Sequence, residues 1–301
     1  MALLCYKCIF FAIKNNSMYY YKKLFQLLAL FFSVLFFSQL HKKDSLRGEF
    51  TYLLKAKLNT STPDYRHEEF FSLQIGDERA FFASIQSLKR DSVFQALPIK
   101  TLENGAKLLS SKGMSIPKTK FSFTIIQSNE NIQYFNLVGM SILTYKEPII
   151  KNWNLSNDTK IINTINCKKA EVTFKGRNWI AWYSPEIPLP YGPYKFSGLP
   201  GLIVKITDDK GEYDFELVKS TPTFKLKGKL IKINENRYNE AFETTRPKFE
   251  KALKDANANL IGVLQSSETT IIQGQEMIRQ RQKEREENKK YENPIELEKD
   301  Q

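Results

Sequence analysis

Few residues in this chain could serve acid–base or nucleophilic chemistry. There are two histidines, His41 and His67, and three cysteines, Cys5, Cys8 and Cys167. A Ser-His-Asp or Cys-His arrangement needs a histidine base held beside its nucleophile. His67 lies in Arg66-His-Glu-Glu69, without the His-Glu-x-x-His spacing of a zinc protease, and reads as an exposed loop or strand residue. Cys5 and Cys8 have the spacing of half a zinc site, and no second pair completes it. Cys167 reads as a small buried hydrophobe. The sequence therefore implies no metal, no cofactor and no catalytic triad.

Carboxylates are the remaining route to an enzyme. Glycoside hydrolysis uses two carboxyls about 5–10 Å apart, one of them kept protonated by an apolar setting. Glu186 with Asp214 or Glu216 is the pair this chain offers. The plainer reading gives Asp208 to a turn and sets Asp214 and Glu216 on a solvent face opposite Lys205. No residue is assigned to catalysis. Arg177, Trp182, Tyr183, Glu186, Tyr194, Lys195 and Phe196 make a better binding surface. Against that stands a wholly structural reading, in which prolines and aromatics lock a connection over a sheet edge.

These residues must be positioned by the stretch from Ala170 to Val218. Ala170, Val172 and Phe174 alternate with Glu171, Thr173 and Lys175, the period of a half-buried strand. After Lys175-Gly-Arg-Asn178 a second strand places Trp179, Ala181 and Tyr183 on one face, with Trp179 facing the core and Trp182 the other way. Strands over 202–207 and 212–218 follow, joined by a turn in which Gly211 supplies a positive φ. Between the two hairpins, Ser184 to Pro200 carries five of the chain's twelve prolines. Proline fixes φ and donates no hydrogen bond, so the segment is expected to be a stiff crossover. Gly198 and Gly201 would permit close backbone approach there.

Gly198-Leu-Pro-Gly-Leu-Ile203 resembles the signature of the GLPGLI family of secreted bacterial proteins. Phe174-Lys-Gly-Arg177, Ala181-Trp-Tyr183, Glu186-Ile-Pro188, Gly192-Pro193 and Lys195-Phe196 stand in the order and spacing of that family. Cys167-Lys-Lys-Ala170 and Asn293-Pro-Ile-Glu-Leu297 fit its wider pattern. The resemblance is strong over about 153–217. It implies Gly192, Pro193, Gly198, Leu199, Pro200 and Gly201 as structural motif residues, an unknown activity, and export to the envelope of a Gram-negative bacterium.

Elsewhere, Met18-Tyr-Tyr-Tyr-Lys-Lys23 before the fourteen-residue apolar run Leu24–Phe37 has the layout of a secretory signal peptide over 1–39. Residues 1–17 read as an over-extended gene start. The run is short for a permanent anchor, so none is expected. The formal charge is +12, and four lysines before Leu40 leave 12 − 4 = +8 after cleavage. That charge is spread along the chain, so nucleic acid is not expected as a partner. Residues 40–265 are expected to form one β-rich domain. Its strands lie near 46–62, 69–75, 121–127, 132–137, 141–145, 158–162 and 224–233. Helical spacing appears over 80–97 and 246–261. The lysines of 224–233 read as a guard on a sheet edge. Residues 266–301 form a polar helix and tail.

The fold class expected is α+β: a large curved antiparallel sheet with C-terminal helices packed on it. By fold analogy alone it is similar to half-barrel lipoprotein carriers. The expected function is non-enzymatic binding of a small apolar or amphipathic ligand, or of an envelope protein partner, in the periplasm or after secretion. The alternatives are the carbohydrate hydrolase above and a structural envelope component.

Overall fold

Strand periodicity dominates the chain because apolar side chains recur at every second position. In β1 (Gly48–Ala56), Phe50, Tyr52, Leu54 and Ala56 are buried while their neighbours are half-buried or exposed. The computed structural model describes residues 44–97, 99–101, 107–109, 114–259 and 275–297. The leader expected over 1–39, and part of the tail, lie outside the described residues. Among the described residues, no helix is long and apolar enough to cross a membrane.

The strands that follow β1 are β2 (His67–Ile75), β3 (Arg79–Ser84), β4 (Ile99–Thr101), β5 (Lys107–Leu109), β6 (Thr124–Ser128), β7 (Asn131–Val138) and β8 (Ser141–Pro148). Then come β9 (Asn154–Ile162), β10 (Ile165–Phe174), β11 (Arg177–Ser184), β12 (Leu202–Asp208), β13 (Tyr213–Ser220) and β14 (Phe242–Glu243). The helices are α1 (Ile85–Gln95), α2 (Arg246–Ala258) and α3 (Gln275–Asn288). Twelve strands form one sheet in the order β14-β8-β7-β6-β3-β2-β1-β13-β12-β11-β10-β9. Every pairing is antiparallel except the short β14–β8 contact. The fold is α+β with a large antiparallel sheet, as the pattern of strands predicts.

The sheet is strongly curled. From β8 to the turn between β10 and β11 is eight or nine strand steps, roughly 40 Å if the sheet were flat. Yet Glu147 of β8 lies 3.1 Å from Lys175 in that turn. Likewise Phe82 of β3 and Phe215 of β13, three strands apart, bring their ring centroids to 6.2 Å on the concave side. The main core fills this concavity, with Phe71, Leu73, Trp179, Ala181, Ile206 and Phe215 among its strand residues. The crossover adds Tyr191, Tyr194, Phe196 and Leu199 to it.

Two smaller cores lie elsewhere. One gathers Phe81, Ala83, Ile126, Phe135 and Ile233. The other holds Val138, Tyr145 and Phe249, the last set edge-to-face against Tyr134 and Tyr145 at 5.6 and 5.0 Å. Phe249 thus docks α2 onto β7 and β8. Thr245 precedes α2 and Pro247 stands in its first turn, where a missing N–H costs nothing.

Two segments differ from their sequence pattern. Residues 80–84, expected to be helical, belong to β3, because β2 and β6 offer ladders on both sides. The helix begins only after Ser84, whose hydroxyl caps the Ser87 N–H at 3.1 Å. Residues 224–233, expected as a lysine-guarded strand, are instead a 3₁₀ turn (Thr223–Lys225) and a loop that touches Ser45 through Leu230. Gly228, at φ +73, breaks the extended path, and Leu226 and Ile233 are the buried side chains that anchor it.

Candidate functional site

The crossover is irregular throughout, as its prolines require, and is pressed against the sheet by main-chain contacts. Gln127 of β6 donates to the carbonyls of Gly192 (2.8 Å) and Tyr194 (2.6 Å). The Tyr52 hydroxyl donates to Ile203 O at 2.6 Å, and the Trp153 indole to Ser197 O at 3.0 Å. A Cβ on Gly198 would sit 2.6 Å from Ile150 O, and one on Gly192 would sit 2.7 Å from the Ile203 side chain. Tyr194 is held at φ +54, a left-handed conformation that a tyrosine adopts only when its surroundings impose it.

Of the seven residues proposed for a binding surface, five are buried: Arg177, Tyr183, Tyr194, Lys195 and Phe196. Three of them, Arg177, Tyr194 and Lys195, hold the chain's own segment Asn293–Glu296. Arg177 opens β11 after the Lys175-Gly176 turn, in which both residues have positive φ. It uses its whole guanidinium. Nε donates to Ile295 O (3.1 Å). Nη1 donates to Asp208 (2.6 Å) and Glu212 (2.9 Å). Nη2 donates to Asn293 Oδ1 (2.6 Å) and Pro294 O (2.8 Å). Tyr213, whose ring lies beneath the guanidinium at 4.9 Å, donates to Asn293 O at 2.5 Å. Asn293 in turn donates to Lys57 O at 2.7 Å. Asp208 therefore does more than shape a turn. It is the buried counter-ion of Arg177 and also accepts the Glu212 and Tyr213 N–H groups at 2.7 and 3.0 Å.

Lys195 organises the second half of this clamp. Its fully buried ammonium is ion-paired to Glu147 and to Glu296 (2.8 Å), and it donates to the Tyr145 hydroxyl at 3.0 Å. The rings of Tyr134, Tyr145 and Tyr194 surround it at 5.3, 5.0 and 5.7 Å. Arg246 of α2 joins Glu147 (3.1 Å) to Glu296 (2.7 Å), and Tyr194 donates to Glu296 at 2.7 Å. Glu147, Glu212, Glu296, Arg246, Lys175, Tyr134, Tyr145, Tyr213 and Asn293 are members of this network that residue-type reasoning did not single out as partners. Tyr134 and Tyr145 are paired directly across β7 and β8. No local signal connects them to Lys195.

Burial alone would raise the carboxyl pKa of Glu147, but Lys195 and Lys175 outweigh it and hold the group below its ordinary value of 4.5. A carboxylate depressed in the folded state stabilises it above the unfolded pKa, and that contribution is lost as pH falls through the depressed value. The melting temperature is therefore expected to decline on acidification below about pH 4.5. In Glu147→Gln it should start lower at neutral pH and fall less steeply. An unchanged acid limb in that variant would remove Glu147 from the linkage.

The other two proposed surface residues remain reachable. Trp182 is half-buried, with the Lys160 ammonium 5.7 Å from its ring. Glu186 is exposed and accepts from Asn166 at 2.9 Å. Glu186 borders a cavity of about 570 Å³ at the β9–β10 margin, together with Lys160, Ile161, Cys167, Lys168 and Pro185. Burial pushes the Cys167 thiol up to about 11, opposed by a backbone hydrogen bond at Ile162, so at neutral pH it is a neutral wall of this cavity. Asp214 and Glu216 do not line it. Lys205 ties them together, at 3.0 Å from Asp214 and 2.6 Å from Glu216. The Lys205 hydrogen bond holds the Glu216 carboxyl below its usual value despite partial burial. A general acid needs the opposite shift.

His67 lies at the start of β2, half-buried, 2.8 Å from the buried carboxylate of Glu69. Glu69 also accepts from Ser84 and from Thr119 (2.5 Å). In a catalytic triad the imidazole stands between serine and carboxylate. Here the carboxylate stands in the middle and Ser84 is fully buried as a helix cap, so the cluster joins β2, β3 and residues 119–120.

The family described as "Protein of unknown function (Porph_ging)" matches residues 171–205, a segment that contains β11, the crossover and the start of the clamp. No curated protein matches the chain. Among solved structures, PNGF-II in a P21 space group is similar at 14% identity and a TM-score of 0.45, covering 71% of this chain and 34% of that one. PNGF-II in a C2 space group gives 12% identity and a TM-score of 0.46, covering 70% and 33%. The chain thus spans about a third of the length of PNGF-II.

Proposed function

We propose that this chain is an exported envelope protein of the GLPGLI type that binds an amphipathic ligand without transforming it. Its binding surface on this reading is the cavity bordered by Glu186, and not the space under the crossover, which Phe196 and Tyr194 fill. The observation that carries the reading is that cavity. Its volume, about 570 Å³, falls within the range of small-molecule sites. Ile161 and Cys167 give it apolar wall, and Lys160 and Lys168 give it positive charge at the rim. Trp182 adjoins it through Lys160, so a ligand that displaced the lysine could stack on the indole.

The ligand class that fits is a molecule with an apolar body and one anionic head. Native mass spectrometry of protein purified from its own periplasm should show a retained adduct. Trp182→Ala and Ile161→Asp should each weaken its binding by about tenfold, the loss expected for one well-placed apolar contact, and for Ile161, which is exposed, the melting temperature should be unchanged. Protein that carries no adduct, and whose indole fluorescence ignores fatty acids and lysophospholipids, would leave the structural envelope component as the better reading.

A further inference from the structure

A lysine-rich stretch of the described sheet unit lies outside the clamp and the cavity. From Leu217 to Asn234 there are five lysines and no acidic residue. Lys232 is neutralised by Glu49 at 2.7 Å. Lys225, Lys227 and Lys229 are exposed on the loop 221–233. On either side of them in the sequence stand two exposed apolar side chains, Phe224 at 76% and Leu230 at 45%. Water-facing phenylalanine is costly, and here it is flanked by cations rather than covered. Lys225 lies 5.8 Å from the Phe224 ring, so charge and apolar group form one patch.

The position of this loop supplies an independent observation. Ser45 bridges Leu230, and the Leu46 N–H bonds Lys229 O at 2.9 Å. The patch therefore surrounds the point at which the described body meets its N-terminal segment. In the sequence, residues 38–44 separate Ser45 from the apolar run ending at Phe37, and they include Lys42 and Lys43. Seven residues reach at most about 25 Å when fully extended. The loop thus lies beside the described residues that stand nearest that apolar run in the sequence.

We infer that the loop 221–233 is a membrane-contact surface, which seats Phe224 and Leu230 at the interface of an anionic phospholipid bilayer with Lys225, Lys227 and Lys229 against its headgroups. The inference does not depend on the cavity. Neither apolar residue alone would hold a protein on lipid, but each nearby lysine adds roughly fivefold in partitioning onto an anionic surface. The mechanism resembles that of interfacial segments which pair aromatic insertion with basic charge.

The test is co-sedimentation of the exported protein with phosphatidylcholine vesicles, with and without a quarter of phosphatidylglycerol. Binding is expected only to the anionic vesicles and should weaken with salt. Reversing Lys225, Lys227 and Lys229 to glutamate should abolish it, a loss of about a hundredfold or more. Phe224→Ser should weaken it several-fold while leaving its salt dependence intact. All four side chains are exposed, so an unchanged melting temperature will show that each variant is folded. Equal binding to neutral vesicles, or binding that survives the triple reversal, would overturn the inference. So would tight binding to soluble dextran sulfate that ignores Phe224→Ser, since that describes a polyanion site and not a lipid one.

Discussion

Arg177→Ala is expected to lower the unfolding free energy by about 3–5 kcal/mol, the cost of removing one partner from a buried, hydrogen-bonded charge pair. The magnitude follows from what is left behind. Asp208 has no exposed side-chain surface. Without the guanidinium its charge is met by the N–H groups of Glu212 and Tyr213 alone. Asn293 Oδ1 and the carbonyls of Pro294 and Ile295 lose their donors at the same time. Arg177→Lys should recover little, because one ammonium cannot reproduce a planar fork that serves five acceptors. Urea denaturation gives the free energy. Hydrogen exchange at 293–297 should rise in parallel, since the same residue fastens that segment. A loss under about 1 kcal/mol, the scale of a surface ion pair, would contradict this account of the clamp.

Gly201→Ala is expected to be at least as damaging. A Cβ there would lie 2.1 Å from Ser184 O, 2.6 Å from Ser184 C and 3.0 Å from Pro185 N. All three atoms are main chain, so no rotamer change can make room. The residue also sits at φ +153, which L side chains rarely adopt. The loss should exceed about 3 kcal/mol, and folded protein should fail to accumulate at physiological temperature. Gly211 provides the control. It has φ +62, and a Cβ there would meet nothing within 4 Å. Gly211→Ala should therefore cost only the left-handed penalty of about 1–2 kcal/mol. Equal losses at the two positions would mean that backbone conformation, and not close approach, decides the matter.

The crossover is legible in the sequence because its signal is local: five prolines in seventeen residues exclude a ladder whatever surrounds them. The two tryptophans are legible for the same reason. Period-two alternation separates Trp179, 1% exposed, from half-buried Trp182. Lys195 is not. By residue type it belongs at the surface, and its burial depends on Glu147, Arg246 and Glu296, some 50 to 100 residues away in the chain. The likeness of Asn293–Leu297 to a family pattern marks that segment without showing what it touches. The loop 224–233 misleads because alternating lysines imitate a strand edge, and a single glycine outweighs the alternation. Curvature has a different cause. A flat and a curled sheet share one alternation, and the curl becomes visible only through contacts between distant strands.

The clamp also has a consequence for timing. Residues 293–297, which tie Lys195 and Arg177 into one network, are synthesised after every strand they secure. A polypeptide paused after β14 and before residue 293 has every described strand but lacks the keystone that seals the trough. For a chain threaded across a membrane from its N-terminal end, the latch arrives last. On the export proposed above, the polypeptide would stay pliable during passage and set only once it is through.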